Sequence, residues 1–372
     1  MGKKIICILT ALILTVLSGC EKKREEEKPS AVSAVSTTAA TETAEEKTTE
    51  KDNVPVTVIR PDETLKMLEK DFYVSSYSGD YGFDEFLERG GAKSDRELTD
   101  FLIEYVVTEQ LDLMLQYMGS GCSTLAASDK DGNEYFGRNY DWNYCEGIIM
   151  LSNPKNGYRS VSTVDGNYVT NPDFEIEGDI KRLCALYCPL DGMNEKGVCI
   201  CVNMISDSNT ADQNTEKPDI TTTTAIRLVL DKAASTDEAV NLLKKYDMHF
   251  SKGQMIHFAV SDASGKSVAV EYINGEMCVT QTKIMTNFYL TEGEKYGIGS
   301  NQSHTRYDIL TDLLKEKEYI GQNGMRDALS SVSKKNFGEF MSTEWSAVFD
   351  KTNLTVTYYH RENYEKGYRI EL

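Results

Sequence analysis

The sequence predicts an α+β protein: two stacked antiparallel sheets covered by helices. Three observations lead there. Short strand-like runs pair locally, most plainly around Lys130-Asp131-Gly132-Asn133 and Asp262-Ala263-Ser264-Gly265, where turn-forming residues separate two runs. Helical patterns fall in pairs between the strand runs, which suits two sheets with helices on their outer sides. From about Val54 onward apolar and polar residues mix over roughly three hundred residues, enough for one large or two small domains.

Taken in order, the chain starts with a basic leader, Met1-Gly2-Lys3-Lys4. An apolar run follows, Ile5–Val16, too short to span a bilayer, and Leu17-Ser18-Gly19-Cys20 ends it. This resembles a bacterial lipoprotein signal over residues 1–19 with Cys20 as the acylated residue. The expected location is therefore outside the cell, lipid-anchored to the outer face of the bacterial membrane. Residues 20–53 are rich in Glu, Lys, Ser, Thr and Ala and nearly devoid of large apolar side chains, so burial cannot offset their chain entropy; they read as a disordered tether.

Residues 54–121 read as a helical segment. Pro61–Tyr73 and Phe83–Arg89 carry helical patterns, and Ser94-Asp95-Arg96-Glu97 is a capping box. The helix it opens carries Leu98, Phe101, Leu102 and Tyr105 on one face and is expected to run, with or without a break, to about Met118. That stripe must pack on something, so the segment is expected to be a permanent part of the fold.

Ser123–Ala127 and Glu134–Asn139 form a hairpin, because the Asp-Gly pair between them suits the positive φ angles of a tight turn. Ile148–Ser152 and Tyr158–Val164 read as strands, Asp191–Gly197 as a turn, and Val198–Asn203 as a buried strand. Helices follow at about Thr223–Ala234 and Ala239–Tyr246, then a hairpin of Met255–Ser261 with Lys266–Tyr272. Lys283–Tyr289 contains a strand that ends in an amide. Two helices, Thr305–Lys315 and Met325–Val332, and three strands, Ser346–Asp350, Leu354–His360 and Tyr368–Glu371, close the chain.

The first hairpin brings chemistry together. Cys122 begins its first strand while Arg138 and Asp141 come at or just past the end of the second, which puts a thiol beside a cation and a carboxylate at one end of the pair. None of the four histidines is near it in sequence; His257 lies inside a strand and reads as a satisfied core residue. A base arises if the Gly121–Cys122 bond is cut. The freed α-amine has a reference pKa of about 7.7–8.0 and sits one Cα from its own thiol. Asp141 can orient that amine, and Arg138 can favour the thiolate.

Cys122, the Gly137-Arg138-Asn139-Tyr140-Asp141-Trp142 run and the Asp191-Gly192-Met193-Asn194-Glu195-Lys196-Gly197 run together resemble the N-terminal-nucleophile cysteine hydrolases of the linear amide C–N group. That group includes choloylglycine hydrolases, penicillin V acylases, acid ceramidase and N-acylethanolamine acid amidase. The resemblance covers residues 122–372 and implies an αββα sandwich. It implies an oxyanion-hole donor at Asn203, an Asn287 that holds the network near the cysteine, and an Arg306, within Ser303-His304-Thr305-Arg306-Tyr307, that fixes the site's geometry. It also implies cleavage of linear amides of N-acyl compounds (bile-salt, fatty-acyl or aryl-acyl) through a thioester on Cys122. As in the ceramidase branch, the piece before the cysteine is expected to stay associated after self-cleavage; the choloylglycine branch has little before its cysteine, and here the chain departs from it. An acyltransferase using the same thioester and a non-catalytic ligand-binding lipoprotein are the alternatives, and a homo-oligomer is compatible with each.

The formal charge of −19 argues against nucleic acid and against electrostatic adhesion to anionic lipid, so membrane attachment must come from the lipid on Cys20. Of the nine cysteines, Cys7 and Cys20 fall in the leader and anchor. The odd number left in an exported chain points to Cys122 as a thiol outside any disulfide. The other six could make three disulfides, although Cys199 and Cys201 alternate along one strand toward one buried face. No paired Cys-x-x-Cys or His-Glu-x-x-His pattern occurs, and neither metal nor cofactor is expected.

Overall fold

The computed structural model describes residues 54–105, 114–115, 121–170, 178–337 and 342–372. The signal, Cys20 and the tether lie outside the described residues. Seven strands form one sheet, in the spatial order Val56–Val58, Gly367–Glu371, Thr355–His360, Ser342–Asp350, Glu134–Trp142, Gly121–Ser128 and Ile284–Met285. Nine form the second large sheet: Glu276–Gln281, Ser267–Ile273, Ile256–Ser261, Cys199–Met204, Asp191–Asn194, Ser160–Asp165, Gly147–Pro154, Phe72–Gly79 and Lys66–Glu69. Neighbours within both sheets are antiparallel except at two places, and both involve the N-terminal segment. Val56–Val58 runs parallel to Gly367–Glu371, and Phe72–Gly79 runs parallel to Gly147–Pro154. Parallel partners require a long connection, so sequence-distant chain had to supply them.

The helices Thr222–Lys232 and Thr236–Leu243 pack on the nine-stranded sheet, and Asn301–Glu316 and Gln322–Ser331 on the seven-stranded one. The architecture is therefore an αββα sandwich. One apolar core lies between the sheets and under the first helix pair, with Phe136, Met193, Cys201 and Phe349 among its members. A second, with Leu125, Leu310, Leu329 and Val348, lies between the seven-stranded sheet and its helices. Alternation along a strand decides which residue faces which core. On Gly121–Ser128, Cys122 and Ala126 join the core between the sheets, whereas Leu125 and Ala127 join the helix side.

The hairpin turn forms as its residues dictate. Gly132 takes φ +82°, and the Asp129 carboxylate accepts from the backbone N–H groups of Asp131 and Asn133, each at 2.9 Å. Ser235 caps the Thr236–Leu243 helix by accepting from the Glu238 N–H.

The N-terminal segment differs from expectation. Helices at Phe83–Glu88 and Asp95–Tyr105 are present, and Ser94 Oγ accepts from the Glu97 N–H at 3.2 Å. Pro61–Tyr73, however, is not helical. It contains the Lys66–Glu69 strand and the start of Phe72–Gly79, joined through Asp71 at φ +62°. The aromatic and β-branched residues of Phe72-Tyr73-Val74 find a sheet edge, and that pairing outweighs local helical preference. Met114–Leu115 is a strand paired with Val169–Thr170, so the expected helix does not run to Met118; the rest of that stretch lies outside the described residues. Farther on, Asp191–Asn194 is a strand and only the residues after it turn, with Gly197 at φ +73°. No disulfide joins any of the seven described cysteines, and Cys199 and Cys201 are both buried in one strand.

Candidate active site

The register of the first hairpin sets the site. Gly121 faces Asp141, Cys122 faces Tyr140, and Thr124 faces Arg138. Arg138 shares the inner sheet face with Cys122, while Asp141 falls on the opposite, helix-side face. The three therefore meet at one end of the hairpin, but from two sides.

On the inner side, Arg138 is fully buried. Its Nε donates to Asp191 Oδ2 at 2.7 Å and its Nη1 to Asn203 Oδ1 at 2.8 Å. Trp345 Nε1 donates to the same Asp191 oxygen at 2.9 Å, so the carboxylate is held by two donors. Burial works against the Arg138 charge, but neighbouring Cys122, Cys201 and Asp191 outweigh it and keep the guanidinium above its ordinary value. Among the described residues Arg138 Nη2 is buried without a hydrogen-bond partner, which leaves a donor in the environment of Cys122.

On the outer side, Arg306 comes from the Asn301–Glu316 helix. This helix starts earlier than expected, with Ser300 as its cap, and Arg306 is 1 % exposed. Its Nη1 donates to Cys122 O at 2.6 Å and Ser123 Oγ at 2.5 Å, and its Nη2 to Asn287 Oδ1 at 2.7 Å. Arg306 Nη1 also lies 3.6 Å from Asp141 Oδ2. Asp141 Oδ1 accepts from Thr343 Oγ1 at 2.7 Å, while its Oδ2 is buried without a hydrogen bond among the described residues. Burial pushes Asp141 up; Arg306 and then Lys334 oppose it, and the carboxyl stays above its ordinary value.

The two asparagines tie the halves together. Asn287 Oδ1 accepts from the Cys122 N–H at 2.7 Å as well as from Arg306, and its Nδ2 donates to Met204 O at 2.6 Å. Asn203 Nδ2 donates to Thr286 O at 3.0 Å and reaches Met285 O at 3.4 Å. The amide expected to serve an oxyanion hole is thus turned, in the intact chain, toward the carbonyls beside Asn287. All six expected residues, Cys122, Arg138, Asp141, Asn203, Asn287 and Arg306, belong to one connected buried network.

Sequence reasoning missed several members. Asp191 stood in the quoted Asp-Gly-Met-Asn run and could have been found there, since a buried Arg138 demands a carboxylate. Thr343 and Lys334 carry no local signal, whereas Ser303 stood at the head of the quoted Ser303-His304-Thr305-Arg306-Tyr307 run. Ser303 Oγ accepts from the Asn287 N–H at 2.6 Å. His257 is a satisfied core residue: Nδ1 pairs with Glu271 Oε1 at 3.0 Å and Nε2 with Thr286 O at 2.9 Å, behind the Asn287 segment. Among the described residues no group of three or more His, Cys, Asp or Glu side chains is arranged to hold a metal ion.

An αββα sandwich thus holds a strand-borne cysteine, an arginine and an aspartate at one hairpin end. Residues 122–303 match the linear amide C-N hydrolases, choloylglycine hydrolase family. Penicillin V acylase of Pectobacterium atrosepticum is 31 % identical over 110 residues, covering 26 % of this chain and 29 % of its own; the chain thus spans less than a third of the length of that curated relative. Among solved structures, a variant of conjugated bile acid hydrolase from Clostridium perfringens is similar at 18 % identity and a TM-score of 0.48, covering 64 % of this chain and 89 % of that one. Penicillin V acylase from Agrobacterium tumefaciens is similar at 16 % identity and a TM-score of 0.40, covering 64 % and 83 %.

Proposed function

We propose that this protein is a cysteine amidohydrolase that cleaves linear amide C–N bonds of N-acyl compounds through a thioester on Cys122, after cutting its own Gly121–Cys122 bond. The observation that carries the reading is the set of contacts on Cys122 itself. Its N–H is held by Asn287, its carbonyl by Arg306, and Arg138 shares its face of the sheet with a buried, unpartnered donor. Such a set suits a residue whose nitrogen becomes a free amine and whose sulfur becomes a thiolate. The orphaned Asp141 Oδ2 suits the same change, because a new ammonium would supply its missing donor.

In the reaction, the thiolate attacks the amide carbonyl and the C–N bond breaks as the α-amine gives its proton to the leaving nitrogen. Water, deprotonated by the same amine, then releases the acid. Asn203 and Asn287 stabilise the oxyanion once their amides reorient around the cut chain end. Cys122 is 1 % exposed in the intact chain, so a substrate reaches it only after groups around it have moved. Residues 1–19 act as the lipoprotein signal, and Cys20 anchors the protein to the outer membrane face.

The test is the intact mass of the full-length protein beside its Cys122→Ala variant. Two fragments meeting at Gly121/Cys122 in the wild type and one chain in the variant are expected, together with amide hydrolysis only in the wild type. A wild type that stays uncut yet hydrolyses N-acyl amides would overturn the self-cleavage step; a Cys122→Ala protein with full hydrolysis would overturn the assignment of the nucleophile.

A further inference from the structure

The buried pair of Arg138 and Asp191 joins the two sheets, and its geometry does more than balance a charge. Arg138 stands on Glu134–Trp142 of the seven-stranded sheet, while Asp191 and Asn203 stand on neighbouring strands of the nine-stranded one. The guanidinium bridges those neighbours: Nε donates to Asp191 Oδ2 at 2.7 Å and Nη1 to Asn203 Oδ1 at 2.8 Å. Asp191 uses one oxygen for this. Trp345 Nε1 donates to the same Oδ2 at 2.9 Å, and Asp191 Oδ1 has no hydrogen-bond partner among the described residues. A carboxylate that only neutralised an arginine would take the two-pronged hold that a guanidinium offers. Here it takes the Nε edge alone, which leaves Nη1 to Asn203.

We propose that Asp191, fixed by Trp345, is a positioning residue for the amide hydrolysis: through Arg138 it sets which end of the Asn203 amide faces the developing oxyanion. The inference rests on the hydrolase reading above.

The Asn203 amide has two unlike ends, and its neighbours distinguish them. Arg138 can only donate, so it holds the oxygen; Thr286 O, at 3.0 Å, and Met285 O, at 3.4 Å, can only accept, so they face the nitrogen. Nδ2 is thereby kept on the side of the Asn287 segment, where Asn287 Oδ1 accepts from the Cys122 N–H. A flipped Asn203 would set donor against donor at the guanidinium and would offer an oxygen where the reaction needs a donor. The flip is prevented as long as Nη1 stays in place, and the hold on Nε keeps it there.

The platform beneath Asp191 is rigid. A Cβ built on Gly192 would lie 2.5 Å from Val161 O and 2.8 Å from Leu230 Cδ1, so the strand is pressed between its neighbour and the Thr222–Lys232 helix. Trp345 in turn stacks on Tyr140 with ring centroids 3.9 Å apart, and Tyr140 faces Cys122 across the hairpin. Side chains restrained in this way keep a site's geometry while the chain around the nucleophile rearranges.

The test is a double-mutant cycle in kcat on the full-length protein, with fatty-acyl, aryl-acyl and bile-acyl amides of a fluorogenic aminocoumarin as probes. Rates are taken per cut chain, counted by intact mass. Asp191→Ala is expected to lower kcat about a hundredfold with KM nearly unchanged, because the lost interaction acts in the transition state. In an Asn203→Ala background the same change is expected to lower kcat less than about threefold, since the amide it positions is gone. Effects that multiply, to about ten-thousandfold in the double variant, overturn the proposal and leave Asp191 as a residue that only holds the fold. Trp345→Phe keeps the Arg138–Asp191 pair and removes the second donor on Oδ2. It is expected to lower kcat about tenfold by itself and less than about twofold beside Asn203→Ala. Should Asp191→Ala fail to cut, or fail to fold as judged by melting in a Cys122→Ala background, Trp345→Phe decides; a kcat equal to the wild type's in that variant overturns the proposal. A wild type inactive on all three probes overturns the hydrolase reading itself and is recognised before any variant is made.

Discussion

At the scale of single residues, the site is a set of buried polar atoms each held by several others, so removing one exposes the rest. Asn203 shows this best. Its Oδ1 accepts from Arg138 and its Nδ2 holds the Thr286 carbonyl next to Asn287. Asn203→Ala is expected to lower kcat about a hundredfold or more, as loss of an oxyanion donor does. It should also cost about 1–3 kcal/mol of stability, because Arg138 Nη1 is left buried without an acceptor; kinetics and denaturant unfolding on the same protein measure both. A residue outside the network sets a pH dependence. Asp165 is 1 % exposed; burial pushes its carboxyl up, and although the Asn167 N–H opposes this, Glu344 and Glu146 add to it, bringing it to about 7. The folded value lies above the unfolded one of 3.8, so the stability it contributes is whole below 3.8 and is lost as pH rises through about 7. The wild-type Tm should therefore fall between pH 5 and pH 8 by more than that of Asp165→Asn, which thermal melts across that range would show. The six site residues were legible because their motifs are local. Thr343 and Lys334 were not, since each reaches the site only through a strand or helix end that the fold brings back from two hundred residues away.

At the scale of elements, strand alternation explains more of the site than any motif does. It puts Cys122 and Arg138 on the inner face of one hairpin and Asp141 on the outer, where helix-borne Arg306 can reach it. Hairpins with polar turns were legible in the sequence because turn chemistry is local: Asp129–Asn133 folds on its own hydrogen bonds. The Lys66–Glu69 and Phe72–Gly79 pair of strands was not, because the strand through which it joins the sheet, Gly147–Pro154 beside Phe72–Gly79, lies beyond Cys122 and no local pattern announces it. Behind the Asn287 segment, the strands Ile256–Ser261 and Ser267–Ile273 carry His257 and Glu271, both fully buried. Glu271 accepts from the Leu290 and Thr291 N–H groups as well as from His257, and these donors hold its carboxyl below the ordinary range despite burial. Glu271→Gln breaks the buried pair from one side and leaves the imidazole facing an uncharged amide. A loss of about 3–5 kcal/mol is expected in denaturant unfolding, with the Leu290–Thr291 turn loosening in hydrogen exchange. Wild-type stability in that variant would mean the pair is not charged.

At the scale of the whole molecule, the N-terminal segment is built into both sheets. Val56–Val58 extends the seven-stranded sheet beside Gly367–Glu371, and Phe72–Gly79 joins the nine-stranded sheet over eight paired positions with Gly147–Pro154. Phe72, Val74, Phe83, Phe86, Leu98 and Leu102 sit in the same core as Cys122 and Phe136. Each large apolar side chain so buried contributes about 1.5–3 kcal/mol relative to exposure. Cutting the chain at Gly121 removes one covalent link and none of these contacts. The two fragments are therefore expected to co-elute as one species in size exclusion at neutral pH and to separate only when a denaturant unfolds the core. The same contacts predict that a chain starting at Cys122 and expressed alone will not fold, since Gly147–Pro154 would become an exposed sheet edge and the core would lose one wall. Release of the smaller fragment under native conditions, with the larger one still folded and active, would show that the segment is a removable leader.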